Sequence, residues 1–83
     1  MPLTVAKPGE TVKVVKVGGL EQTHRHLEEM GFVPDAGVTV VNKIGENMIL
    51  QVHDSRIALD GSLAKKIMVE KNGFEASHSL ATI

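Results

Sequence analysis

The sequence predicts an all-β fold: a small barrel of about five short strands, one α-helix inserted at about 20–31, and a one-turn helix at about 61–66. Short β-branched runs recur at close spacing between turn residues. Only one stretch, residues 20–30, carries apolar residues at helical intervals. The third observation is size: 83 residues with no cysteine build one core without disulfide support, and curling the sheet hides its edges.

The elements follow in chain order. Leu3 and Val5 alternate before the Pro8-Gly9 turn signal, which suggests a lead-in segment pairing at a sheet edge. The run Thr11-Val12-Lys13-Val14-Val15-Lys16-Val17 reads as a strand with Val12 and Val14 on one face and Lys13 on the other. Gly18-Gly19 breaks it. The helix then takes Leu20, Leu27 and Met30 as its apolar stripe, completed by Thr23 or His24, and ends at Gly31, where a left-handed cap belongs. Residues 38–41 form the second strand and 42–47 a hairpin loop. The third strand covers 48–53, with Met48, Leu50 and Val52 on the inner face. Residues 56–59 form the fourth strand, with Ile57 and Leu59 inward. Asp60 or Ser62 caps the single helical turn, and 67–70 is the last strand. The domain is thus expected over 1–70, followed by a polar tail over 71–83 in which Leu80 and Ile83 offer weak docking points.

Composition excludes several functions. Nine Lys and Arg against ten Asp and Glu create no basic field for a nucleic-acid backbone or an anionic membrane. Two Phe with no Tyr or Trp supply neither a base-stacking platform nor the walls of a polyproline groove. Without Cys there is no thiol nucleophile, Cys-based zinc site or iron–sulfur cluster. The serines lie in no nucleophile elbow, and Gly18-Gly19-Leu20 lacks the ending of a phosphate loop. With no signal segment and no run of roughly 20 apolar residues, the expectation is a cytoplasmic protein without membrane insertion.

Three blocks are similar to one known family, ferrous iron transport protein A (FeoA). Leu27-Glu28-Glu29-Met30-Gly31-Phe32-Val33-Pro34 resembles its Leu-x-x-Leu/Met-Gly-Phe/Leu-x-Pro segment. The pair of strands between Val38 and Val52 surrounds its variable loop. Arg56-Ile57-Ala58-Leu59-Asp60 with Leu63-Ala64-Lys65-Lys66-Ile67-Met68-Val69 resembles its closing stretch. The resemblance covers roughly 2–70 and implies an SH3-like barrel. It also implies a non-enzymatic regulatory protein that docks on a permease, FeoB, carrying a GTP-binding domain. The same SH3-like domain ends metal-dependent repressors of the diphtheria-toxin-repressor type, but this chain leaves no room for their preceding domains, so a free-standing protein is expected. One departure is Asp35 after Pro34, where the family usually has Gly. Asp there predicts a type I turn, or transfer of the positive φ to Gly37.

Candidate site residues are few. Arg25, Lys43, Ile49 and Arg56 are the candidate partner-binding residues, beside the 42–47 loop and the start of the helix. Either arginine is also a conceivable charge donor in trans to GTP hydrolysis, although two surface arginines need no such role. His24 and Glu28 share a helix face as metal ligands can. A structural zinc site needs four ligands, so no cofactor is expected, and a metal-binding module is the alternative reading.

Overall fold

The computed structural model describes residues 1–71, so the expectations for the tail beyond Lys71 lie outside the described residues. Strand β1 (Thr11–Val17) leads to helix α1 (Glu21–Glu29). Strands β2 (Gly37–Ile44), β3 (Asn47–Val52) and β4 (Ser55–Leu59) follow as two hairpins. The one-turn α2 (Gly61–Ala64) precedes β5 (Ile67–Glu70). All pairs are antiparallel and the order is β4-β3-β2-β1-β5.

Strand β1 is shared between two partners. Its first half pairs with β2, through Thr11 with Thr39 and Val12 with Val38. Its second half pairs with β5, through Val14 with Val69 and Val17 with Ile67. The register shifts between Val14 and Lys16, and again in β2 between Val40 and Asn42. Such bulges bend a strand and increase its twist, curling a short sheet around its own core. They also explain the valine runs. Val12, Val14 and Val17 are buried while Val15 is 48% exposed, because the bulge resets the alternation.

The core is aliphatic apart from Phe32. Leu3, Leu27, Leu50, Val38, Val40 and Ile67 join it with no exposed surface, and no polar or charged residue is buried among the described residues. Each large side chain so buried contributes about 1.5–3 kcal/mol.

Four local expectations are corrected. Leu3–Val5 is a turn of 3-10 helix, not a strand: Leu3 points into the core and Val5 is exposed. Edge pairing comes from the residues just before it, with the Val69 amide donating to the Met1 carbonyl at 2.7 Å and Pro2 bridging Met68. Leu20 is not part of the helix's buried stripe. It is the extended residue before α1 and is 82% exposed, so Leu27 alone of the helix is fully buried. The 42–47 loop shrinks to the two residues Gly45-Glu46, because Asn42 pairs with Ile49 and Ile44 with Asn47. Finally, Asp35 takes φ 74° itself, while the Ala36 amide donates to the Val33 carbonyl at 3.0 Å. The turn keeps the positive φ at its third position, as type II geometry requires, and neither a type I turn nor Gly37 replaces it.

Candidate functional site

The four partner-binding candidates divide between different surfaces. Alternation along β3 turns Met48, Leu50 and Val52 inward and Ile49 and Gln51 outward. Ile49 lies opposite Asn42 on one side and Ala58 on the other; Gln51 lies opposite Arg56, whose Nε donates to Gln51 Oε1 at 3.4 Å. Ile49 and Arg56 therefore share the outer face of β2–β4. Ile49 is half-buried there, less open than its place on an outer face suggests.

Lys43 is not on that surface. It pairs with Met48, an inward position, and its Nζ donates to the Thr4 carbonyl at 2.8 Å. Its charge is thereby fixed at the rim of a cleft of about 560 Å³ between the β2–β3 turn and α2, lined also by Glu46, Asp60, Ser62 and Lys65. Two lysines face two carboxylates there, so the cleft has no bias toward either sign of ligand. Arg25 stands on the open side of α1, paired with Glu21 Oε1 at 3.3 Å and 68% exposed.

Sequence reasoning missed two members of the outer face. Val41 is 37% and Ile44 60% exposed. Val41 faces outward by plain alternation from Val38 and Val40, and the bulge brings Asn42 and Ile44 to the same side. Ile44 lies outside because β2 runs on to the end of the hairpin, on the same face as Asn42. A β-branched residue immediately before Gly45-Glu46 was the available signal for the longer strand.

Helix α1 carries the other candidates. The His24 ring lies between two oxygens, with Nδ1 2.9 Å from the Val17 carbonyl and Nε2 3.4 Å from Glu28 Oε2. His26 and His53 are exposed and apart from this pair, and His78 lies outside the described residues. Among the described residues no three His, Cys, Asp or Glu side chains converge on one point, and no helix is long and apolar enough to cross a membrane.

Two carboxylates are held below their ordinary range. The Lys7 amide donates to Glu10 Oε1 at 2.6 Å and is the main cause there, helped by Lys71, whose Nζ lies 2.7 Å from Glu10 Oε2. For Asp60 the main cause is the Ser62 hydroxyl at 2.6 Å, followed by the Leu63 amide at 3.1 Å. The second bond is an N-cap, which starts α2 as the sequence predicts.

Comparison with known proteins locates the whole arrangement. The model of the FeoA domain family matches residues 1–71. The crystal structure of an iron uptake regulatory protein (FeoA) is 30% identical, with a TM-score of 0.80 over 86% of this chain and 96% of that one. A second crystal structure, FeoA of Stenotrophomonas maltophilia complexed with zinc, is 35% identical, with a TM-score of 0.72 over 84% of this chain and 89% of that one. It is described as a prokaryotic SH3 domain protein and a candidate activating factor of ferrous iron transport. A manganese-dependent transcriptional repressor shares the fold alone, at 18% identity and a TM-score of 0.78, over 86% of this chain and 41% of the repressor. Curated protein sequences yield no significant match. With a five-stranded, SH3-like sheet whose family match spans every described residue, this chain belongs to the FeoA family of ferrous iron transport proteins.

Proposed function

We propose that this chain is a non-enzymatic, cytoplasmic accessory protein of bacterial ferrous iron uptake, and that it regulates a FeoB-type permease by docking on it. The observation that carries this reading is the outer face of β2–β4. Ile49 and the exposed Val41 and Ile44 form an apolar surface, with Arg56 beside it. An apolar centre with a polar, cationic rim is the composition of a protein-binding surface. Family membership names the transport system, and the description of the Stenotrophomonas maltophilia relative as a candidate activating factor supports a regulatory role. Docking would act by favouring one conformation of the permease, and the effect is limited to the difference in affinity between conformations.

Binding of the full chain to the whole permease in detergent, and to its isolated GTP-binding domain, tests the proposal. Ile49→Asp is expected to weaken binding about tenfold or more, as a central interface residue does, and Arg56→Asp, at the rim, to weaken it less and to reduce its salt dependence. Arg25→Asp, on another surface, is expected to leave binding unchanged. A wild-type chain that binds neither preparation overturns the reading.

A further inference from the structure

We infer that His24 and Glu28 form an open, two-ligand site for a divalent transition metal of the zinc class. The argument starts from the hydrogen-bonding inventory of the ring. Both nitrogens of His24 face oxygen acceptors, the Val17 carbonyl at 2.9 Å and the Glu28 carboxylate at 3.4 Å. A neutral imidazole carries one N–H and one lone pair. With the proton on Nδ1, Nε2 presents its lone pair to a carboxylate; with the proton on Nε2, Nδ1 presents its lone pair to the carbonyl at the shorter distance. In the neutral ring one contact is therefore acceptor against acceptor in either tautomer; the conflict is removed by a second proton, which makes both nitrogens donors, or by a metal cation between Nε2 and Oε2.

The dimensions suit a metal ion. Two ligands at about 2.0–2.1 Å from a tetrahedral centre lie about 3.3–3.4 Å apart, and Nε2 and Oε2 are 3.4 Å apart. The Val17 carbonyl is the outer partner that metal-binding histidines commonly have. It accepts from Nδ1–H, selects the tautomer with Nε2 free, and holds the ring plane. The i,i+4 spacing on α1 places both donors on one side of the helix. Their side chains are 42% and 44% exposed, leaving the remaining coordination positions open to water or to a donor from another molecule. Because the ring is anchored on the last residue of β1, an occupied site fastens α1 to the sheet. This inference does not depend on the docking reading.

Titration of the full-length chain with Zn(II), and separately with Co(II), at pH 7.5 tests it. One equivalent is expected to bind, with a rise in thermal midpoint and a tetrahedral Co(II) absorption band. His24→Ala and Glu28→Gln are each expected to weaken that binding about tenfold or more and to abolish the metal-dependent midpoint shift. Glu28→Gln leaves the His24–Val17 contact in place, so its effect is not attributable to a displaced helix. His26→Ala is the control and is expected to bind as the wild type does. Absence of saturable binding, or binding that survives both substitutions or follows His26 instead, overturns the inference.

Discussion

The backbone amide of Phe32 donates to the carbonyl of Leu27 at 3.1 Å, and both side chains are fully buried. With the Gly31 amide donating to the Glu28 carbonyl at 3.0 Å, this is a complete Schellman closure of α1. It satisfies the last carbonyls of the helix and drives Phe32 into the core one step after the chain reverses.

Leu27 is accordingly the anchor of the helix, and Leu20 is not. Leu27→Ala is expected to destabilise the protein by about 2–5 kcal/mol, the usual range for a leucine removed from a packed core. Leu20→Ala, at 82% exposure, is expected to stay within about 0.5 kcal/mol. Urea unfolding of the two variants checks this, and equal losses would contradict the placement of α1.

Gly31 is strained by any side chain. Its φ is 105°, and a Cβ there lies 3.0 Å from Val52 Cγ1 and 3.2 Å from His53 Cδ2. Gly31→Ala is expected to cost about 1–3 kcal/mol, combining left-handed backbone strain with overpacking against β3. The denaturation midpoint measures it.

Asp35 holds a conformation that glycine adopts more readily, at φ 74°. Its ion pair with Lys13 is long, 3.8 Å, and the carboxylate is 87% exposed, so little is lost with it. Asp35→Gly is expected to stabilise the fold by about 0.5–1 kcal/mol, the strain released exceeding the added freedom of the unfolded chain. Asp35→Ala is expected to destabilise it, since Ala adopts positive φ less readily than Asp and so raises the strain. Thermal unfolding of the pair checks the opposite signs.

Acid weakens the protein through Glu10 and Asp60. Both carboxyls are held below their ordinary values of 4.5 and 3.8 in the folded state. The unfolded chain therefore takes up protons first. Their stabilisation is fully present above those values and is lost as pH falls through the lower folded ones. Stability measured below about pH 4.5 is expected to decline, and Glu10→Gln combined with Asp60→Asn is expected to flatten that part of the curve while lowering stability at neutral pH.

Local chemistry accounts for much of this fold. The β-branched runs, the Asp60 cap, the Gly31 cap and the alternation Met48, Leu50, Val52 each follow from rules that act within a few residues, and each is where those rules place it. Motifs spread along the chain named the family for the same reason: they encode the caps, turns and inward positions of one barrel.

What the sequence left open depended on distant partners. Leu20 and Leu27 look alike on a helical wheel, yet only the docking of α1 decides which of them meets the core. The bulges that turn Val17 inward and Ile44 outward exist because β1 and β2 each bend around a shared interior. Lys43 is drawn inward by a carbonyl 39 positions away, and His24 is held by the end of β1. Periodicity specifies which residues are able to be buried; only the packed chain determines which backbone oxygen a given side chain reaches, and so which surface is left for a partner.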